Sequence, residues 1–399
     1  MAGAGAFGRN HLRVVRELET AGEGVTLVAA IDPDAARAEE AAKLYRVPTF
    51  ASVGELLKAD LKLDAAIVAV PTVKHHEVAA ALLEAGLDLL VEKPLAANLA
   101  EADDLIARAE RGHRIVQPGH LERFNPAVLA VEPNLKRPMF FEAHRLSVFT
   151  PRALDVDVVL DLMIHDLDIV LTFAKSAVRE VRAVGLPILS PKVDIANVRV
   201  EFDSGCVANF TASRVSTERV RKLRFFEPRQ YVSIDYARRD VLVIQIDPHA
   251  GGQTIGRDSS DTSVAAAAAE FLATGKLDSA VIQKLLTSGK IPMTLAMKIA
   301  AAKNDPEKLK EIAKGLAGPQ AEPAAGPAPG LTFVKPEVKE GEPLKLEVLS
   351  FLDAVRTRRE PRVTARQGRA ALELALTIQS TMAAHAERAG LGDFFRPGA

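Results

Sequence analysis

Apolar and polar residues along this chain alternate between two rhythms. Over residues 7–20, a stretch ending at Glu84, and residues 98–111, apolar positions recur at helical spacing. Between them lie short, nearly continuous apolar runs at 25–31, 64–70, 87–92 and 114–117, which read as buried strands. Strand and helix in alternation predict a doubly wound parallel sheet covered by helices. Beyond residue 139 the pattern changes to strands alone, at 140–148, 178–185, 196–202, 207–215, 220–226, 231–235 and 241–246. Turn signals such as Asp203-Ser204-Gly205 separate neighbours, so this half is predicted to form one large, open, mostly antiparallel sheet. Helices at 343–358 and 366–388 finish the chain. The expected fold class is α/β over residues 1–119, followed by an α+β domain over 120–399. Residues 250–330 interrupt that second domain. They open with Gly251-Gly252, continue with Ala-rich helical patterns at 264–273, 278–287 and 293–302, and start another short helix at Asp305-Pro306-Glu307. A Pro/Ala/Gly-rich stretch at 315–330 follows, so the whole is predicted to be an inserted helical subdomain on a flexible tether.

One helical segment carries more than packing information. Residues 158–171 read VVLDLMIHDLDIVL, in which ten of fourteen positions are apolar and neither Gly nor Pro occurs. Such a segment is buried as a helix. Yet Asp161, His165 and Asp168 fall at i, i+4 and i+7, on one stripe. Burying carboxylates and an imidazole is costly unless they are paired or line a cleft, and perturbed titratable groups in a cleft are candidate catalysts. A capped or salt-bridged core helix with its polar stripe toward water is the alternative. The apolar flanks leave that little room.

The chain's start carries a second signature. Gly3-Ala4-Gly5-Ala6-Phe7-Gly8 fits G-x-G-x-x-G at the head of a predicted helix. The first glycine permits a tight turn, the second admits a pyrophosphate to the backbone, and the third allows close helix packing, as in a Rossmann domain. Gly3, Gly5, Phe7 and Gly8 are therefore candidate cofactor contacts. The next strand-like run ends in Asp32, at the spacing of an acid that binds the adenosine ribose hydroxyls. An acid there favours NAD over NADP by repelling a 2′-phosphate, although Arg37 lies nearby. Only Met1 and Ala2 precede Gly3, where such a fold needs a central strand of ~5 residues. The spacing thus predicts a start further upstream, and an impaired sheet with weak cofactor binding without it. Further on, Asn98 and Glu101 have the spacing of a capping box.

Composition narrows the function classes. With 399 residues, 48% apolar and 26% charged, the chain can build two or three globular domains. A net charge of −1 argues against a general nucleic-acid or anionic-membrane binder. The single Cys206 excludes an internal disulfide framework and a cysteine-built metal site. The absence of Trp argues against stacking on single strands. No signal-like start and no run long enough to span a bilayer are present, so the expected location is the cytoplasm. No metal is expected: Asp161 with His165 is better used in catalysis.

Val91-Glu92-Lys93-Pro94 ends a strand at the carboxyl edge of the sheet, where such folds bind ligands. An isolated lysine at a turn is ordinarily a surface residue. Together with GAGAFG at 3–8, Asp32, AVPTVKHH at 69–76, GHLERFNP at 119–126 and DLMIHDLD at 161–168, however, it resembles the glucose–fructose oxidoreductase/inositol dehydrogenase (Gfo/Idh/MocA) family. The resemblance covers most of the chain outside 250–330 and implies NAD-dependent oxidation of a CH–OH group. It makes Lys93, Asp161 and His165 the catalytic group, with His165 as base, Lys93 stabilising alkoxide character or relaying the proton, and Asp161 orienting them. Such chemistry suits a group that titrates near neutrality. It also implies that Pro71, His75 and Glu92 line the cofactor, that Asp168 supports the substrate side, and that the chain forms a homodimer or homotetramer through its open sheet. His11 is expected near the phosphates and His76 on a helix surface. A narrower resemblance, carried by GHLERFNPAV, RLSVFTPR at 145–152 and the 158–171 helix, is to the branch that oxidises the 3-hydroxyl of UDP-N-acetylglucosamine on the way to amide-linked lipid A. It implies substrate contacts at Arg123 and Asn125, with Arg145 and Arg152 as further candidates; an ordinary ion pair is the alternative for each arginine. Arg214, Arg219, Arg221, Lys222 and Arg224 form a basic run in which alternation sends Arg219 and Arg221 to one face and Lys222 and Arg224 to the other. A diphosphate or a solvated sheet edge explains that run equally. Competing readings are a polyol or free-sugar dehydrogenase and a non-catalytic nucleotide-binding sensor. A sensor has no need of Lys93, Asp161 and His165 together.

Overall fold

The computed structural model describes residues 1–150, 156–246 and 331–391. The chain divides into two compact units, Met1–Gln245 with Phe333–Ala399, and Ile246–Thr332. Arg152 and the expected helices and tether of 250–330 lie outside the described residues.

In the first unit, β1 (Ala30–Ile31) pairs in parallel with β2 (Thr49–Phe50), and β3 (Ala65–Val68), β4 (Asp88–Glu92) and β5 (Val116–Gly119) form a second parallel set. Ala2 joins the two through parallel bridges to Ile31 and Val68. Its N–H donates to Ile67 O and its carbonyl accepts from Ala69 N–H, both at 2.8 Å. Met1–Gly3 therefore takes the central strand position, and the sheet is continuous through it. The expected strand at 25–31 shrinks to Ala30–Ile31, because only its end meets a ladder partner. Beside Met1, Val25, Leu27, Ala65, Ile67 and Phe351 line a cavity of about 710 Å³. Lys93, Asp161 and His165 are not among its walls.

Helices α1 (Ala6–Thr20), α2 (Ala35–Tyr45), α3 (Val53–Lys58), α4 (His75–Glu84) and α5 (Leu99–Gly112) connect and cover these strands. Helix α1 buries Leu12, Val15 and Leu18 at its helical spacing. Helix α5 begins as expected at Asn98, whose side chain accepts from Glu101 N–H at 3.0 Å. The return bond falls one residue earlier, from Ala97 N–H to Glu101 at 3.2 Å.

The other half is an eight-stranded sheet. Its strands are β6 (Phe140–Leu146), β7 (Val178–Leu186), β8 (Ile195–Phe202), β9 (Val207–Ser213), β10 (Val220–Glu227), β11 (Gln230–Asp235), β12 (Asp240–Ile246) and β13 (Leu331–Val334), in the spatial order β13-β12-β11-β10-β6-β9-β8-β7. The pairing of β6 with β9 is parallel; β10 with β6 and β11, β11 with β12, and β8 with β7 and β9 are antiparallel. Strict alternation buries Phe141, Ala143, Phe202, Phe210 and Phe225 on one face and leaves Glu142, Arg199, Asn209 and Arg224 on the other. Each fully buried Phe contributes roughly 1.5–3 kcal/mol. The chain leaves the parallel sheet through α6 (Pro126–Val131). Helix α7 (Ile164–Ala174) and the last helix, α9 (Ala365–Arg388), then place Leu167, Val170, Ile378 and Met382 in the same core as those phenylalanines. Helix α8 (Pro343–Thr357) returns to the first half, where Val348 and Phe351 pack with Leu12, Leu18 and Leu90. No helix among the described residues is long and apolar enough to cross a membrane.

Candidate active site

The strand-to-helix turn after β4 and the start of α7 meet at one point. Residues Val159–Met163 form a wide, π-helical turn in which Ile164 N–H bonds to Val159 O instead of Leu160 O. Such turns recur at functional sites. The Leu160 carbonyl is left to accept from Lys93 Nζ at 3.3 Å, and the Asp161 carbonyl accepts from it at 2.7 Å. The Asp161 carboxylate stands 4.0 Å from the same ammonium. Burial lowers the Lys93 pKa from its ordinary value, against the pull of Asp161 and Glu92.

His165 follows on α7. Burial, reinforced by the charges of Lys93, Arg145, His120 and Arg221, holds its pKa well below the usual imidazole range, so its ring is neutral at physiological pH. Its Nδ1 is enclosed, without a hydrogen-bond partner among the described residues. Asp168 does not share the half-buried setting of Asp161 and His165. His165 and Asp168 stand three residues apart on the regular helix α7, about 60° around its axis, so they face different neighbours. Asp168 is 2% exposed, with its carboxylate 3.4 Å from Arg123 and 3.9 Å from His120. The expected single stripe thus divides into two half-buried residues beside Lys93 and one buried acid.

His120 itself escaped sequence reasoning. It is buried, neither ring nitrogen makes a hydrogen bond with a described residue, and it sits within electrostatic reach of Asp168, Arg123 and Lys93. Burial lowers its pKa. Its one signal was its place immediately after β5, at the carboxyl edge of the sheet.

The glycine loop fits a dinucleotide. Gly3 has φ +92°, and a Cβ there would lie 2.5 Å from Ala69 O. Gly5 caps α1 without a side-chain bond, and no acidic residue occupies the first turn, so the helix N-terminus is open to an anion. Phe7 is exposed and packs edge-on against His11, with centroids 5.5 Å apart. Asp32 is buried; its carboxylate accepts from Ala4 N–H at 2.8 Å and Asp34 N–H at 2.9 Å, with lone pairs to spare for a ribose. Arg37 pairs with Asp34 at 3.5 Å.

Pro71 is exposed at the head of the turn leading to α4. His75 is buried, its ring nitrogens 2.8 Å from Pro94 O and 2.9 Å from Val70 O, so it ties the Lys93-Pro94 turn to the end of β3. His76 lies on the helix surface beside Asp104 at 2.7 Å. His11 is fully buried beneath the loop, with Nε2 at 2.7 Å from Glu92. Glu347 of α8 completes a cluster in which one atom each of His11, Glu92 and Glu347 lie within 4.8 Å of one another. Both Glu347 oxygens are buried without partners among the described residues. Burial, then the Glu92 charge, push its pKa well above the carboxylate range.

The remaining sequence candidates are bound to protein partners. Arg145 grips Asp166 at 2.7 and 3.0 Å and Glu122 at 3.0 Å, and lies 5.2 Å over the Tyr236 ring. Those carboxylates keep it charged despite burial. Asn125 caps α6 through Ala127 N–H and donates to Glu122 and Tyr236 O. Arg123 bonds to Thr172 and the Arg362 carbonyl. In the basic run, Arg214 pairs with Asp194 at 3.1 Å and Arg224 approaches Glu142 at 3.8 Å. Lys222 stands in register with His144 and Asp235.

Comparison with known proteins gives this geometry a context. Residues 1–120 match the oxidoreductase family model for the NAD-binding Rossmann fold, and residues 128–228 match the Gfo/Idh/MocA C-terminal domain. A UDP-N-acetylglucosamine 3-dehydrogenase of Acidithiobacillus ferrooxidans is 35% identical over 254 residues, covering 63% of this chain and 77% of that protein. A solved structure of UDP-N-acetylglucosamine 3-dehydrogenase GnnA from that organism superposes with a TM-score of 0.71 at 27% identity, over 96% of each chain. An inositol 2-dehydrogenase of Acidothermus cellulolyticus is 31% identical over 191 residues, 46% of this chain and 55% of that protein.

Proposed function

The chain belongs to the Gfo/Idh/MocA oxidoreductase family, and on that premise we propose that it oxidises the 3-hydroxyl of UDP-N-acetylglucosamine to a ketone with NAD. The observation that carries the chemistry is the convergence of Lys93, Asp161 and a neutral His165 at the carboxyl edge of the parallel sheet. The choice of sugar is supported by the similarity to the Acidithiobacillus ferrooxidans enzyme.

Gly3, Gly5 and Gly8 with the α1 N-terminus would hold the pyrophosphate, and Asp32 the ribose. The bound nicotinamide supplies the hydride acceptor. His165 takes the hydroxyl proton at Nε2, since Nδ1 is enclosed. Lys93 places its ammonium against the oxygen as negative charge develops there. The Leu160 and Asp161 carbonyls fix the direction of Nζ, and the Asp161 carboxylate favours its charged form. Arg145, Asn125 and Arg123 act through position: they lock residues 119–126 to α7, to Tyr236 and to Arg362. Asp168 stabilises that junction from behind. Preference for NAD over NADP follows from Asp32, with Arg37 drawn toward Asp34. The outer sheet face carries the half-buried cluster Phe140, Phe226 and Tyr231, with centroids 5.5 and 5.1 Å apart, which suits it to pairing with a second copy. Light scattering that finds a monomer would remove that part of the reading.

The test is incubation with NAD and UDP-N-acetylglucosamine, a ketone trap to draw the reaction forward, and reduced-nicotinamide absorbance as the signal. Loss of signal in His165→Ala supports the assignment. Intact NAD binding with no turnover would discard the nucleotide sugar and direct the search to free sugars and polyols.

A further inference from the structure

Arg221 stands directly opposite Arg145 in the β6–β10 ladder. Like charges across a ladder destabilise a sheet. Arg145 is compensated by Asp166 and Glu122. Arg221 is not: its charge is felt by both acids, yet its side chain forms no hydrogen bond or ion pair with any described residue. It is half-buried and shares the inward parity of Leu223 and Phe225, and its charge acts on His165. Burial, then Arg145, lower its pKa, as befits a cation without an anion. Arg219, two residues back, just before β10 and exposed, adds further positive charge. Arg214 and Arg224 have acidic neighbours, and Lys222 faces the other side of the sheet. Packing gives no reason for a half-buried cation facing a second one; an anionic ligand does.

We propose that Arg221 is the anchor for the diphosphate of a nucleotide-linked sugar, holding it on the inner sheet face within electrostatic reach of His165. This rests on the nucleotide-sugar reading above and adds a specificity residue to it, since a polyol or free sugar brings no anion. A charge-assisted, bidentate contact in a partly buried site is the geometry for which arginine is suited.

Calorimetric titration with UDP and with inorganic pyrophosphate, alongside kinetics on UDP-N-acetylglucosamine, tests the assignment in Arg221→Gln and Arg221→Lys. Arg221→Gln is expected to weaken UDP roughly 10- to 100-fold. KM should rise with kcat nearly unchanged, the mark of binding shared by ground and transition states. NAD affinity should not change, and Tm should hold or rise as the repulsion with Arg145 disappears. Arg221→Lys should fall between Gln and wild type. Wild-type UDP affinity in Arg221→Gln, with the wild type active on the nucleotide sugar, would overturn the anchor and leave the function standing. A wild type that neither binds UDP nor oxidises its sugar would overturn both. Should Arg221→Gln fail to fold, Arg221→Lys decides, and unchanged UDP affinity there refutes the anchor.

Discussion

Two alanine substitutions in the glycine loop separate the two reasons a glycine is required. At Gly8, a Cβ would lie 2.0 Å from Gly3 O, whereas ordinary contact begins at 3.4 Å. Helix and loop would have to part by about 1.4 Å, and both obstacles are backbone. Overpacking of that kind costs ~1–3 kcal/mol, so Gly8→Ala should lower Tm by a few degrees with or without cofactor. Gly5 has φ −66° and ψ −169°, an extended conformation open to any residue, and its Cβ would meet nothing within 4 Å. Gly5→Ala should therefore fold normally, losing under ~1 kcal/mol from the poorer helix cap. What remains to require glycine there is a ligand that approaches the backbone. Displacing it by ~1 Å can cost ~100-fold in rate, so NAD affinity and kcat/KM should fall at least tenfold at unchanged Tm. Thermal melts with and without NAD, and titration with NADH by reduced-nicotinamide fluorescence, read both effects. Normal NAD binding by Gly5→Ala would refute the placement of the pyrophosphate over the loop. An unchanged melt for Gly8→Ala would refute the close approach.

Two further expectations follow from burial. His165 must be neutral to accept a proton and its pKa lies well below 6.5, while Lys93 must be charged and its pKa lies below 10.5. The kcat/KM profile should accordingly keep its plateau well below pH 6.5 and lose activity on the alkaline side before pH 10.5; an acid limb at or above pH 6.5 would contradict the assigned base. Glu347 is a buried acid whose folded pKa is raised above its unfolded value near 4.5. Above that unfolded value the unfolded chain releases the proton while the folded one keeps it, so this residue reduces stability as pH rises until its folded pKa is passed. Glu347→Gln keeps the shape without the titration, and denaturant melts should show its advantage over wild type growing by up to ~1.4 kcal/mol per pH unit in that window. A gap constant with pH would contradict a raised Glu347 pKa.

Residues 158–171 show how far sequence periodicity reaches. Apolar content places the helix, and spacing selects Asp161, His165 and Asp168. The π-helical turn at Val159–Met163 leaves no such signature, and the residue that bonds to its carbonyls, Lys93, comes from the end of β4, distant in sequence. Asp168, three residues beyond His165 on regular helix, turns instead to Arg123 and His120. Asp166 was legible only as one more polar residue, since its partner Arg145 stands on a strand in a different part of the chain. The run at 25–31 has the composition of a strand but lacks a ladder partner over most of its length, and hydrogen bonding decides against propensity there. Glu347 and His120 were silent for the same reason: a lone acid on a helix and a lone histidine after a strand acquire meaning only from what the fold packs around them. The capping of α5 at Asn98, the alternation in β6 to β10 and the glycine loop needed only local residues, and these were legible.

The electrostatic layout also explains why a base would be surrounded by cations. Lys93, Arg145 and Arg221 all disfavour the imidazolium form of His165, and burial adds to them. In the resting protein this keeps the ring unprotonated, at the expense of its strength as a base. Arg145 is already neutralised by Asp166 and Glu122, so its contribution is fixed by the fold. Arg221 has no such partner among the described residues, and its contribution is the one a ligand can alter. An arriving diphosphate would cancel that charge and raise the proton affinity of His165 at the moment a hydroxyl is presented to it. A neutral sugar in the same pocket would leave the base weak. If Arg221 holds a diphosphate, substrate charge and base strength are coupled, and selectivity for an anionic substrate would be expressed in the chemical step as well as in binding.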